Sequence, residues 1–281
     1  MSKWNLIVDV ANCTNCGLCA LSLQDEHFEN EFTGYAAPMP KHGHHWIEIR
    51  KKERGQVPMV DVAYLPVMCQ HCDDAPCIKA AKGNAISKRE DGIVVIDPVK
   101  ARGQKQLVDA CPYGAIWWNE ERQVPQHWLF DAHLLDIGWP EPRCVTVCAT
   151  DALRAVQVDD HEMKNLVRDE GLEELSPELA TKPRVYYKNL WRFRDCFIGG
   201  TITAEIAGVV ECVVGAIVTL KKEGVEIVSG QTDMFGDFKL DRIEPDNGIY
   251  VLEMRHGDSL SKTIKVSAVE SQYLGQIRID Q

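Results

Sequence analysis

Excess positive charge is the first thing this sequence lacks. Lys and Arg total 31 against 42 Asp and Glu, a net charge of −11. Phosphate backbones reward the opposite sign, which argues against nucleic acid as a partner. A secretory leader pattern is missing too. Met1-Ser2-Lys3-Trp4 runs straight into Asn5-Leu6-Ile7-Val8-Asp9, with no basic n-region, apolar core or cleavage site. A chain without its own export signal, in the cytoplasm, is therefore expected. The longest apolar stretch, Ala207 to Leu220, is interrupted by Glu211 and rich in β-branched residues. It is too short and too polar to span a bilayer, so no membrane partner is expected. Motifs of catalysis are absent: no G-x-S-x-G, no H-E-x-x-H and no phosphate loop. Gly103 and the other scattered glycines form no dinucleotide fingerprint. No catalytic residue is assigned. Cysteine is present, 11 in 281 residues, yet at about 4% it falls below the ~8–10% of a disulfide scaffold.

What is there divides in two by length, at roughly 150 residues per domain. Residues 1 to about 158 alternate short β-like runs (Asn5–Asp9, Trp46–Ile49, Gly92–Asp97) with cysteine loops. A weak repeat is visible. Gly83-Asn84-Ala85-Ile86, Tyr113-Gly114-Ala115-Ile116 and Thr150-Asp151-Ala152-Leu153 each follow a cysteine loop at similar offset. Repeated loop-then-strand units predict a duplicated small module. Asp159 to Leu175 reads as an amphipathic helix stopped by Ser176-Pro177, with Gly171 weakening its second half. The basic and aromatic stretch 182–194 is kept extended by Pro183 and completes a linker over 159–195. From 196 to 281 alternating runs and turn signals, among them Lys222-Glu223-Gly224 and Asp246-Asn247-Gly248, predict about seven strands in a small β-sandwich.

Nine of the eleven cysteines lie within the first 148 residues. In a reducing compartment such clusters read as metal ligands before disulfides. Cys13-x2-Cys16-x2-Cys19 places three thiolates at the pitch of three corners of an iron–sulfur cubane. Zinc prefers separated pairs and fits this spacing badly. Cys69-x2-Cys72-x4-Cys77 is a wider triple of the same kind. Cys111-Pro112 has the form of a fourth ligand that reaches across to a different cluster. Cys144-x3-Cys148 is the remaining pair.

With these motifs, and with Arg89–Val94, Ala110–Gly114, Ala132–Asp136 and Thr181–Leu190, the chain resembles the iron–sulfur small subunits of the dimethyl sulfoxide reductase family of molybdopterin enzymes. The resemblance is nearest to its hydroxytransferase branch, with a resorcinol hydroxylase type of subunit as near relative, and it covers essentially the whole chain. It implies an α+β fold of two ferredoxin-like [4Fe-4S] modules over 1–158. A C-terminal all-β, immunoglobulin-like sandwich of the carboxypeptidase-regulatory kind follows over 196–281. It also implies a large catalytic partner in a heterodimer, carrying molybdenum on bis-molybdopterin guanine dinucleotide and acting on polyhydroxylated aromatics. The alternatives are the electron-transfer subunit of a related molybdopterin hydroxylase or other family oxidoreductase, and a stand-alone ferredoxin with a binding domain.

The family's pairing rule implies one cluster on Cys13, Cys16, Cys19 and Cys148, and a second on Cys69, Cys72, Cys77 and Cys111. Its two other sites fall on residues that cannot supply four ligands. One set is Ala81, Ala101, Gln104 and Leu107. The other is Leu23, Trp128, Asp131 and Cys144, where the hydroxytransferase branch keeps a cluster. The second site is expected to be empty and filled by Leu23 and Trp128, apolar bulk replacing a buried cubane. Two clusters without the intermediate ones make a broken wire, so they are expected to be structural or slow in redox.

Other residues carry plainer readings. His42, His44 and His45 read as a solvent-facing or subunit-facing loop, since no carboxylate or cysteine completes a metal site. His71 reads as orienting its loop or donating a hydrogen bond near a sulfur. Cys196 and Cys212 read as ordinary buried thiols. The stretch 182–194 reads as an arm on a larger partner or as a strap to the sandwich.

Overall fold

The structure, a computed structural model, describes every residue except Ala207, Asp246, Asn247 and Gln281. The turn expected at Asp246-Asn247-Gly248 therefore lies partly outside the described residues. The chain forms two compact units, Met1–Arg50 with Tyr64–Leu190, and Lys51–Ala63 with Trp191–Gln281.

The first unit contains or shares strands β1 (Lys3–Asp9), β2 (Ile47–Gln56), β3 (Met59–Met68), β4 (Ile86–Lys88), β5 (Val94–Ile96), β6 (Trp117–Asn119), β7 (Val124–Gln126), β8 (Leu153–Val158) and β9 (Val185–Lys188). Its helices are α1 (Leu18–His27), α2 (Pro76–Ala80), α3 (Ala132–Leu135), α4 (Arg143–Thr146) and α5 (Asp160–Glu170). β1 is the centre of a three-stranded sheet, antiparallel to β8 and parallel to β9. A central strand is covered on both faces, which is why Leu6, Ile7 and Val8 are consecutive and all buried. The pairs β2–β3, β4–β5 and β6–β7 are separate two-stranded ribbons.

The repeat is legible in the backbone. Asn84, Gly114 and Asp151 all take left-handed conformations. Ala85, Ala115 and Ala152 behind them are all buried, and β4, β6 and β8 follow. Each unit turns sharply after its cysteine loop and then enters a strand.

α5 starts where Asp159 accepts hydrogen bonds from the N–H groups of His161 and Glu162, both at 2.9 Å. It ends at Gly171, whose φ of 62° closes the helix as a left-handed cap. The helix is thus shorter than the sequence pattern to Leu175. Met163 and Leu172 bury against Ile7.

The second unit holds α6 (Trp191–Arg194) and strands β10 (Cys196–Ile206), β11 (Val209–Cys212), β12 (Ile217–Lys222), β13 (Val225–Gln231), β14 (Asp237–Ile243), β15 (Ile249–His256), β16 (Leu260–Ser267) and β17 (Gln272–Arg278). β10 pairs antiparallel with β11 and β14 and parallel with β17. β13, β12, β15 and β16 form the other sheet in that order. One apolar core, with Ile198, Ile202, Val218, Leu220, Leu252 and Met254 fully buried, draws on both sheets. The alternation along β12 and β15 puts Val218, Leu220, Leu252 and Met254 inward, while β10, which carries Ile198 and Ile202, is buried along most of its length. Glu223 and Gly224 both have positive φ, the tight hairpin turn that joins β12 to β13. Cys196 is buried as expected. Cys212 is not: all four residues of β11, an edge strand, are exposed.

The tip of the β2–β3 hairpin gives the second unit its buried cation. Arg54 is fully buried, donates from Nη1 to Asp61 at 3.1 Å and from Nη2 to Asp241. Its guanidinium lies over the rings of Phe197 and Trp191, at 5.4 and 5.8 Å from their centroids.

Candidate metal centres

Cys13 and Cys16 sit on the loop after β1, and Cys19 on the first turn of α1. Gly17 lets this happen. Its φ of 75° turns the chain from loop to helix, a conformation L residues resist. Cys148 follows α4, closed by its N–H on the Val145 carbonyl at 3.0 Å. It reaches the same place: burial, and next the neighbouring thiols Cys13, Cys16 and Cys148, push the Cys19 thiol up to about 11. Burial and the Cys148 and Cys16 thiols raise Cys13 as well. Cys16 is exposed and Cys19 buried.

The second quartet is more enclosed. Cys69 and Cys72 follow β3, Cys77 lies on α2, and Cys111 precedes the turn into β6. All four line one cavity, with Pro76, Pro112, Tyr113 and Val94 among its walls. Burial drives Cys69 far above its ordinary value and Cys77 to about 12, with Cys111 adding to both. Such thiols stay protonated in water. A cation must supply the charge that ionises them, which is what a metal cluster does. Four sulfurs converging on one cavity, with no carboxylate among the described residues that line it, fit a cubane iron–sulfur cluster.

Of the remaining expected positions Ala101, Leu107, Leu23, Trp128, Asp131 and Cys144 are buried, and Ala81 and Gln104 half-buried. Ala101 and Leu107 join an apolar cluster with Ala85, Ile86, Val94 and Ile96, and Ala81 packs against it. Gln104 instead ties the backbone, donating to the Lys100 carbonyl at 2.8 Å and the Lys82 carbonyl at 3.1 Å. Leu23, Trp128, Asp131 and Cys144 are each at most 1% exposed. Trp128 stacks on Phe130 with centroids 4.8 Å apart. Asp131 Oδ2 accepts from the Arg143 N–H at 2.8 Å, and its Oδ1 lies 3.9 Å from His27 Nε2. The site is not wholly apolar. Asp131 Oδ1, Trp128 Nε1 and both ring nitrogens of His27 are buried without a hydrogen-bond partner among the described residues. Burial, and the Asp131 carboxylate, hold the Cys144 thiol well above its ordinary value.

His71 acts differently from one of its two expected roles. Its Nδ1 lies 3.9 Å from Cys69 Sγ but accepts the Val94 N–H at 3.0 Å. An accepting nitrogen carries no proton, so it gives none to the sulfur. The loop-orienting role stands. His127, which no motif marked, donates from Nε2 to the Val94 carbonyl at 2.9 Å. Cys69, His71 and His127 thus gather their donor atoms within 4.8 Å, but Val94 already engages both rings. Burial lowers His127 to about 4, so it is neutral in the folded chain and protonates more readily unfolded. Its contribution is complete above about pH 6.5 and lost as pH falls toward 4. Between pH 7.5 and 5.5 the linkage costs about 1 kcal/mol. Urea titrations of the wild type and His127→Gln at the two pH values are expected to show a loss about 1 kcal/mol larger in the wild type, since burial lowers His71, His44 and His133 in both proteins. His44, in the 42–45 loop, faces Trp118, its Nε2 3.0 Å from that carbonyl.

Two sulfur quartets, each closed by a cysteine from far along the chain, define an iron–sulfur protein of the ferredoxin type. The family described as a 4Fe-4S dicluster domain matches residues 60–158. The chain is 44% identical to the pyrogallol hydroxytransferase small subunit of Pelobacter acidigallici, over 99% of this chain and 100% of that one. To the arsenate respiratory reductase iron-sulfur subunit of a Shewanella species it is 26% identical, over 66% of this chain and 95% of that one. To the thiosulfate reductase electron transfer subunit of Salmonella typhi it is 31% identical, over 43% and 63%. The chain belongs to the family of the pyrogallol hydroxytransferase small subunit, among the iron–sulfur subunits of molybdopterin oxidoreductases. Among the described residues no helix is long and apolar enough to cross a membrane.

Proposed function

We propose that this chain is the non-catalytic iron–sulfur small subunit of a molybdopterin-dependent hydroxytransferase acting on polyhydroxylated aromatics of the pyrogallol-to-phloroglucinol type. The observation that carries the reading is the pair of converging thiol quartets in a chain similar end to end to one such subunit. Cys13, Cys16, Cys19 and Cys148 hold one [4Fe-4S] cluster; Cys69, Cys72, Cys77 and Cys111 hold the other. Leu23, Trp128, Asp131 and Cys144 hold none. A large cytoplasmic partner with bis-molybdopterin guanine dinucleotide completes a heterodimer and supplies the active site.

In this reading 1–158 is the duplicated ferredoxin-like domain, 159–195 the linker or arm, and 196–281 an immunoglobulin-like, carboxypeptidase-regulatory-like sandwich. Two four-stranded sheets on one apolar core support the last assignment. Leu23 and Trp128 in place of cluster ligands favour a reaction without net electron flow, in which hydroxyl groups move between aromatic rings. The clusters then serve structure or slow redox.

The test is iron and acid-labile sulfide per chain after anaerobic purification, followed by an EPR redox titration. About eight of each and two clusters are expected, four irons per cubane. About twelve irons with three interacting clusters, or zinc in place of iron, overturns the reading.

A further inference from the structure

Lys88, the last residue of β4, reaches over to the loop that carries Cys69 and Cys72. Its Nζ donates to the His71 carbonyl at 2.8 Å and to the Cys72 carbonyl at 3.0 Å, and it meets Asp73 Oδ1 at 2.7 Å. The three acceptors belong to three consecutive residues. An ammonium has three N–H donors; a neutral amine would have one fewer. The geometry therefore uses every proton of a charged Lys88. One of its acceptors is the carbonyl of Cys72, a residue that gives its sulfur to the second quartet.

The sheet sets this contact. Val94 is the register partner of Lys88 across β4 and β5, and the Val94 N–H donates to His71 Nδ1 at 3.0 Å. Lys88 and the loop it holds are thus tied to the same residue. Asp73 does not cancel the charge. Its carboxylate also takes the Arg184 guanidinium, Nε to Oδ1 at 2.8 Å and Nη2 to Oδ2 at 2.5 Å. Arg184 reaches Asp160 as well, at 3.0 Å, and Lys3 pairs with Asp160 at 2.7 Å. These five side chains hold three cations against two anions. The Lys88 side chain is 21% exposed, so solvent screens its charge only in part.

We propose that Lys88 is a positioning residue for the second quartet: its ammonium clasps the loop of Cys69 and Cys72 and raises the reduction potential of the cluster that the quartet holds. The inference rests on the ligand assignment of Cys69, Cys72, Cys77 and Cys111. Reduction brings in one electron from an external donor, which is oxidised, and adds one negative charge at the sulfurs. A fixed cation on the ligand loop favours that added charge. No bond breaks, and all three protons stay on Lys88.

The test uses the purified complex and an EPR-monitored titration with dithionite, with iron counted on every sample. The cluster concerned is the one missing from Cys111→Ala. Lys88→Met is expected to keep its iron and to lower the midpoint of that cluster while the other holds. Lys88→Arg, which keeps the charge, stays near the wild-type midpoint. Asp73→Asn, which removes the opposite charge, raises it. An iron-replete Lys88→Met with an unchanged midpoint overturns the proposal. So does a shift of Lys88→Met and Asp73→Asn in the same direction, or a Lys88→Arg shifted as far as Lys88→Met, since either marks a disturbed loop rather than a charge. Should Lys88→Met lose iron, Asp73→Asn decides: a raised midpoint supports the proposal, and an unchanged or lowered one overturns it. Iron loss from both leaves the pair a clasp alone and overturns the effect on potential. Failure of the ligand assignment itself is separately visible, as a Cys72→Ala variant that still counts about eight irons.

Discussion

Cys148→Ala is expected to lose about four of about eight irons, all from the site that begins at Cys13. Cys111→Ala is expected to lose the same number from the site that begins at Cys69. The two losses are the largest effects a single atom can have here, because each removed sulfur is the corner that closes its cube. The geometry makes the outcomes specific. Cys148 raises the thiols of Cys13 and Cys19, not those of the second quartet. Cys111 acts in the same way on Cys69, Cys72 and Cys77. Iron analysis together with the EPR spectrum of the surviving cluster checks both variants. Equal loss from both sites in either variant would show that the quartets are not independent.

Arg54→Ala is expected to destabilise the second unit by about 2–3 kcal/mol, chiefly through lost cation–π contact and packing. Asp61 keeps Arg192 at 2.9 Å and Lys239 at 3.2 Å, and Asp241 keeps Lys239 at 3.1 Å. Neither carboxylate is stranded outright. The larger part of the loss is the guanidinium's packing between Trp191 and Phe197, both within 6 Å. Arg54→Met, which retains bulk without charge, should recover part of it. Urea unfolding followed by far-UV circular dichroism measures both, and a change below about 1 kcal/mol for alanine would contradict the assignment.

The cysteine sites are legible in the sequence because their spacing is local and chemically restrictive. Three thiols within seven residues leave few alternatives, and a cysteine followed by proline points across the chain. The closing partners Cys111 and Cys148 need the family resemblance, since spacing alone does not state which triple each one joins. β1, β5 and the sandwich strands follow from apolar runs and alternation. The β2–β3 hairpin follows only in part. The run Trp46–Ile49 marks the start of β2, but the charged residues after it carry no strand signal, and Arg54 among them is the one that is buried. His127 is invisible for a similar reason. A lone histidine without a partner at motif spacing declares nothing until β5 supplies a carbonyl. Cys212 departs from its expected burial because an edge strand exposes residues that a central strand would cover. The stretch 182–194 reads from sequence as an arm or a tie to the sandwich, and only hydrogen bonds such as that of the Asp73 N–H to the Lys182 carbonyl at 2.8 Å show that its start lies on the loop of Cys69 and Cys72.

The pairing of β1 with β9 sets an order of events during synthesis. β1 is made first but gains its parallel neighbour only when Val185–Lys188 exist. At about 5–20 residues per second the ribosome needs roughly 10–40 s to reach them. Within that interval both closing cysteines, Cys111 and Cys148, and the antiparallel neighbour β8 are made before β1 gains its parallel one. All eight cluster cysteines therefore emerge before the sheet behind the first triple is complete, and that sheet closes around sulfurs already made.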